Sequence, residues 1–206
     1  MSKLGVFSEA TPLLLRLAIE SDLPVLARIH KLAYSRKHFT ALLSHETLAR
    51  YYASFLGEGS EILLAIMMDE SGAEIPLGFA VYGRGIPERI KRFKREASKD
   101  ILITSLHHPF LAIGKFAGAF WAKLIAGPVP PPPDFLLLSI AVREKNCGIG
   151  GRLLKEVLAG ARKINVKNVG LYVNVENMLA INAYFSAGFR LRQYNNKQFY
   201  MEITLE

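Results

Sequence analysis

Apolar positions along the chain fall into two rhythms, one alternating or unbroken and one at helical spacing, and the switches between them outline an α/β protein. Residues 13–19, LLLRLAI, are branched and apolar and predict a first strand. Ser21 or Asp22 then offers a helix cap, with Pro24 tolerated in the first turn and Leu23, Leu26, Ala27, Ile29, His30 and Ala33 at helical spacing. After the connector SRKHFTALL, Ser44 can cap a second helix over 45–56 that Gly57 ends. EILLAIMM (61–68) and PLGFAVYG (76–83) read as strands joined by the turn DESGAE, a hairpin.

The next fifty residues interrupt this order. IPERIKRFKREASKD is a basic helix candidate, and the apolar stretch after it is broken by His107, His108, Pro109, Lys115 and Lys123. No uncharged run there reaches the ~20 residues of a membrane-spanning helix, so no transmembrane segment is expected. PVPPPP (128–133) predicts a stiff, extended spacer. FLLLSIAV (135–142) is then unbroken apolar sequence, the mark of a strand covered on both faces. A helix over 149–163, a strand over 168–175 and a short helix ended by Gly188 follow. The last two strands, FRLRQY and QFYMEITL, flank Asn195-Asn196, a pair able to take the left-handed backbone of a tight turn. The predicted order is strand, two helices, three strands, helix, strand, helix and two strands, with no internal repeat.

Composition narrows the class. The 206 residues, half of them hydrophobic, suit one domain with a full core, with or without an insertion. A single cysteine, Cys147, excludes an internal disulfide and points to a reducing, cytoplasmic location. The first twenty residues have neither the apolar h-region nor the small-residue cleavage site of a secretory leader, so none is expected. The net charge of +8 is concentrated: residues 84–123 hold nine lysines and arginines against Glu88, Glu96 and Asp100. Such a stretch attracts anionic partners or is simply a solvated helix face. No nucleic-acid-reading motif accompanies it, and no nucleic-acid partner is expected.

The sharpest local feature is the glycine loop after the buried strand. Gly148, Gly150 and Gly151 lie at the start of the 149–163 helix, where unpaired N–H groups and the helix dipole attract a phosphate or diphosphate. Arg143, Lys145 and Arg152 add charge. The loop is not a nucleotide P-loop, because no Lys-Ser or Lys-Thr follows the glycines. It is not a full dinucleotide fingerprint either, because position 153 is Leu.

A second motif, NVENMLAINAYFSAGF, places Asn177, Ala180, Tyr184, Gly188 and Phe189 after the next strand. With Lys145-Asn-Cys-Gly148-Ile-Gly150 before it and LRLAIESDLPVLARIH at the start, the chain resembles the GNAT N-acetyltransferase superfamily over 13–83 and 134–204. The resemblance implies a mixed, mostly antiparallel twisted sheet of about seven strands flanked by helices. It also implies a helical insertion between strands three and four, within one domain over 1–206. Two departures stand out: Lys145 replaces the usual Arg or Gln, and five residues separate Val142 from Gly148 where the commoner form has seven.

The same resemblance implies acetyl-CoA as cosubstrate and needs no metal. The pantetheine arm would lie as an extra strand against Ile140, Ala141 and Val142, with the Ile140 N–H able to polarise the thioester carbonyl. Lys145, Cys147, Gly148, Ile149, Gly150, Gly151 and Arg152 would hold the diphosphate. Asn177 would cap the short helix and touch the arm, and Tyr184 would be the general acid at sulfur. Cys147 lies a pantetheine length from the acyl group, which argues against an acyl-enzyme.

Glu46, Asp134, Glu144, His30, His38, His107 and His108 are all available as a base, and none is singled out. The resemblance implies that the acceptor, a primary amine, enters near Tyr34, Arg36, Lys37 and His38, residues that favour a negatively charged molecule. The layout, with IHK in the first helix and YY in the second, also resembles family members found with surface-polysaccharide enzymes. That puts an amino-sugar nucleotide first among acceptors, with a peptide amine, a small metabolite amine and a non-catalytic CoA-binding module as alternatives. The insertion leaves packing on the domain, a homodimer contact and a peripheral membrane contact through 86–126 open.

Overall fold

The computed structural model describes residues 13–34, 38–107, 133–195 and 197–206. Seven strands form one sheet: β1 (Leu14–Leu17), β2 (Ser60–Met68), β3 (Glu74–Gly83), β4 (Phe135–Val142), β5 (Asn168–Asn174), β6 (Arg190–Asn195) and β7 (Gln198–Thr204). Their order is β1-β2-β3-β4-β5-β7-β6. β4 and β5 run parallel and every other neighbouring pair is antiparallel. Two parallel strands need a long crossover between them, and α5 (Ile149–Lys163) supplies it.

Helices cover both faces. Leu153, Val157 and Ala161 repeat every four residues along α5 and pack on Leu137, Val169 and Met201 of the sheet. Ile181 of α6 (Met178–Ser186) joins the same core. On the other face, α1 (Leu23–Ala33), α2 (His45–Ala53) and α3 (Ile86–Glu96) bring Leu26, Ile29, Tyr52 and Ile86 against Ile62, Phe79 and Ala141. Burial on both faces is the reason FLLLSIAV carries an almost unbroken apolar run.

The helical insertion is present between β3 and β4 as α3 and α4 (Ser98–His107). His108, Lys115, Lys123 and all but the last residue of the proline spacer lie outside the described residues. Among the described residues no helix is long and apolar enough to cross a membrane.

Two local expectations change. Asp22 precedes α1, but its carboxylate does not cap that helix. It accepts from Arg16 Nη1 at 2.7 Å, Arg16 Nη2 at 2.9 Å and the Ile19 N–H at 2.8 Å, which ties β1 to the start of α1. The Arg16 hydrogen bond holds the Asp22 carboxyl below its usual range, against the opposing effect of burial. Ser44 does cap α2, accepting from the Thr47 N–H at 3.0 Å, yet the helix stops at Ala53 and a turn reaches Gly57. Among the described residues of the β6–β7 connection Lys197 is left-handed, with φ of 61°; Asn196 lies outside the described residues.

Candidate active site

The sheet opens at its one parallel junction. β4 pairs with β5 only from Phe135 to Leu137, opposite Val169 to Leu171. The cause is visible on the other edge of β4. There Leu137 faces Tyr82 and Ser139 faces Val81, so Leu138 is one residue too many for β3. A bulge of this kind bends the strand and sharpens its twist, and β4 leaves β5 just where the extra residue sits. Beyond Leu137, β4 has no strand partner on that edge among the described residues.

The direction of the free edge follows from a single hydrogen bond. The Arg143 N–H donates to the Leu77 carbonyl of β3 at 2.8 Å. In an antiparallel pair, alternate residues point their N–H and C=O to the same neighbour. Ala141 therefore also addresses β3, while Ile140 and Val142 turn their backbone groups into the wedge. An extended ligand with amide groups can pair there as a strand would.

The helix start of α5 lies at the end of that edge. The loop after Val142 turns within five residues by using two left-handed positions, Asn146 at φ 65° and Gly148 at φ 73°. Gly148 is the N-cap and provides no side-chain cap. The first bonded amide of the helix is Arg152, donating to the Gly148 carbonyl at 3.1 Å. The amides of 149–151 therefore have no helical acceptor. A Cβ at Gly151 would meet nothing, and one at Gly150 would make only ordinary contact with Ile140 and Val142. Packing does not require glycine at either position, although each costs ~1 kcal/mol of helix propensity. Gly160, further along α5, is equally unobstructed, so bareness alone does not define a site; at 150 and 151 it coincides with unpaired amides beside an open strand edge.

Charge around this cradle is partly as expected. Lys145 and Arg152 are exposed at the loop and first turn, as are Cys147 and Gly148. Arg143 is turned elsewhere: its guanidinium donates to the Pro76 carbonyl at 3.3 Å. The Cys147 thiol donates to the Lys145 carbonyl at 3.5 Å, within the loop itself.

The far side of the wedge is α6. Asn177 caps it, its Oδ1 accepting from the Ala180 N–H at 3.3 Å. Tyr184 packs on Phe189, ring centroids 5.7 Å apart, and is half-buried. Burial and then the nearby Tyr34 phenol push the Tyr184 phenol well above its ordinary range. It is therefore a proton-bearing donor at neutral pH.

The fold recurs in solved structures. A phosphinothricin acetyltransferase from Sinorhizobium meliloti, in complex with AcCoA, aligns over 94% of this chain and 88% of its own, with TM-score 0.57 and 15% identity. A ribosomal-protein-alanine N-acetyltransferase from Brucella melitensis aligns over 93% and 99%, with TM-score 0.56 and 20% identity. The PaiA N-acetyltransferase from Thermoplasma acidophilum, in complex with coenzyme A, aligns over 94% and 99%, with TM-score 0.54 and 14% identity. The chain has the GNAT fold. Neither a family model nor a curated protein matches the sequence.

On the α1 side of the GNAT sheet the structure joins into one polar cluster residues that the sequence singles out only separately, Tyr34 and His30, together with Ser139, Tyr52 and Thr40. The Tyr34 and Ser139 hydroxyls are 2.8 Å apart. His30, buried in α1, stacks on Tyr34 with ring centroids 4.4 Å apart. Its Nδ1 lies 2.6 Å from the Tyr52 hydroxyl and its Nε2 3.1 Å from the Thr40 hydroxyl. Burial, and then the charges of His38 and Lys31, lower the His30 pKa to about 4, so the ring is neutral at pH 7. Burial raises the Tyr34 phenol, opposed by its bond to Ser139. What the sequence adds to Tyr34 and His30 is Ser139, the single polar residue in FLLLSIAV.

Of the acceptor residues read from sequence, Tyr34 and His38 come together, ring centroids 5.3 Å apart; Arg36 and Lys37 lie outside the described residues. The candidate bases scatter. Asp134 pairs with Arg84 at the opposite end of β4 from the glycine loop. His107 is exposed at the end of α4, its Nδ1 2.8 Å from the Ile103 carbonyl. Glu46 is exposed in α2, and His30 is committed to Tyr52 and Thr40. Among the described residues no group of acids, histidines and cysteine could hold a metal ion.

Proposed function

We propose that the chain is an acetyl-CoA-dependent N-acetyltransferase acting on a primary amine. The observation that carries this reading is the wedge: the free Ile140–Val142 edge runs into the unpaired amides of 149–151, an extended slot ending in an anion cradle. Pantetheine amides match the slot, and a diphosphate matches the cradle with Lys145 and Arg152 beside it. Cys147 and Gly148 line the loop as backbone, and Asn177 borders the arm from the start of α6. The AcCoA and coenzyme A complexes among the structural neighbours favour the same ligand.

Acetyl-CoA supplies an activated thioester. The acceptor nitrogen attacks the acyl carbon, the new C–N bond forms and the C–S bond breaks. The Ile140 N–H receives the developing oxyanion. One proton leaves the amine for water, and Tyr184 gives one to the departing sulfur and is reprotonated from solvent. Burial that raises the phenol also raises the proton affinity of a thiolate beside it, so the transfer stays matched.

The acceptor approaches past Tyr34 and His38, and the sequence between these two residues carries Arg36 and Lys37. Cationic residues there favour an anionic acceptor, and an amino-sugar nucleotide is the first choice. The test pairs a coenzyme A titration with thiol release over a panel of amino-sugar nucleotides, polyamines and peptides. Tyr184→Phe should keep coenzyme A affinity and lower kcat roughly a hundredfold. Tight coenzyme A binding with no thiol release from any amine would replace the enzyme reading with a binding module; no coenzyme A binding would remove both.

A further inference from the structure

The insertion presents a face that the proposed chemistry does not use. α3 and α4 are consecutive, and helical hydrogen bonding runs through their junction: the Ala97 N–H donates to Phe93 and the Ile101 N–H to Ala97. Residues on one side are committed inward. Phe93 packs 5.1 Å from Tyr51, and Ile101 packs on the Ala27, Leu43 and Leu48 cluster. Asp100 accepts from Arg50 at 3.0 Å and Thr47 at 3.2 Å, and Arg89 donates to the Ser54 carbonyl at 3.0 Å.

The opposite side follows the same three- and four-residue spacing. Lys91, Arg92, Arg95 and Lys99 are exposed, with Lys94 at its margin, and the spacing carries on to Leu102, Ile103 and Leu106. Those three are 60%, 54% and 70% exposed, and α4 buries none of its residues. The acids on this stretch are Glu88 and Glu96, since Asp100 is held by Arg50. One continuous stripe is thus cationic along α3 and apolar along α4.

We propose that this stripe is a docking surface for an anionic lipid bilayer. Cations meet the headgroup phosphates and carboxylates, and the three aliphatic side chains enter the interface beside them. A nucleic acid would satisfy the cations equally, but it offers nothing to Leu102, Ile103 and Leu106. A lipid surface takes both halves of the stripe, and that decides between them. The inference does not depend on the acetyltransferase reading.

The test is cosedimentation of the full chain with vesicles of phosphatidylcholine alone, or of phosphatidylcholine mixed with phosphatidylserine, across a salt series. Expected is binding to the phosphatidylserine vesicles that falls roughly tenfold or more as salt rises, with little binding to phosphatidylcholine. Arg95→Glu with Lys99→Glu should abolish it. Leu102→Ser with Leu106→Ser should weaken it roughly tenfold and leave the remainder more salt-sensitive. Circular dichroism of both variants reports on folding, and the wild-type salt series decides the matter if either fails to fold. Equal binding to the two vesicle types, unchanged binding of the charge-reversed chain, or salt-sensitive binding to duplex DNA without vesicle binding would overturn the proposal.

Discussion

The Tyr34 hydroxyl lies 2.8 Å from the Ser139 Oγ, joining the end of α1 to the residue just after the bulge in β4. Both side chains are half-buried, and the Ser139 hydroxyl also bonds the Tyr52 phenol, so each substitution breaks a shared bond and Ser139→Ala leaves the Tyr34 phenol short of its partner. Tyr34→Phe and Ser139→Ala should each destabilise the fold by ~1–3 kcal/mol, and the double variant by clearly less than their sum. Urea denaturation of the four proteins measures this coupling. Additive losses would mean that the hydroxyls do not depend on each other.

His30 sets a pH dependence. Its folded-state pKa of about 4 lies below the ordinary 6.5, so between those values the unfolded chain binds the extra proton. Its contribution is complete above 6.5 and is lost as pH falls towards 4, by about 3 kcal/mol in all. Asp22 works in the same direction but only below its ordinary 3.8, so of these two groups His30 is the one that sets the slope between pH 4 and 6.5. Stability measured by denaturant across that window should fall on acidification in the wild type and flatten in His30→Gln. An equal slope in both proteins would place the titration elsewhere.

Much of this was legible in the sequence because its signals are local. The seven strands followed from runs of apolar residues, and the order of elements from their switches to helical spacing. Gly148 and Asn177 were legible because a left-handed cap and a side-chain cap are each set by one residue and its immediate neighbours. The bulge at Leu138 was not, since it exists only as a mismatch with β3, some sixty residues earlier in the chain. For the same reason the direction of Ser139 was unreadable, and with it the link to Tyr34 and His30. Asp22 was misread as a helix cap because its partner, Arg16, competes from the preceding strand.

The glycines divide into two kinds, and substitution separates them. Gly148 has φ of 73°, so Gly148→Ala should cost ~1 kcal/mol or more in stability through backbone strain. Gly151 is helical and unobstructed, so Gly151→Ala should raise stability by up to ~1 kcal/mol. If the amides of 149–151 hold a diphosphate, the same Gly151→Ala chain should bind coenzyme A more weakly, because a methyl group now stands over the first turn. Thermal melts and calorimetry on one sample give both quantities. A stabilised variant with unchanged coenzyme A affinity would move the anion away from this helix end.

The extra residue in β4 permits a direct test of why the wedge exists. Leu137 packs with the α5 core, and Leu138 with the α1 core on the other face. Ser139 also faces the α1 side, where it meets Tyr34, and Ile140 returns to the α5 side. Deleting Leu138 therefore leaves every other side chain of β4 on its present face and removes only the mismatch with β3. Without the bulge, β4 loses its bend, and the backbone groups of Ile140 and Val142 can continue the ladder that now stops at Leu137 opposite Leu171. The deleted chain should keep its secondary structure by circular dichroism, with ~2–4 kcal/mol lost from the missing leucine contacts. Its amides 168–175 should gain hydrogen-exchange protection as β5 finds a longer partner, and coenzyme A binding should disappear. A deletion protein that still binds coenzyme A would show that the separation of β4 from β5 is held by something other than the bulge.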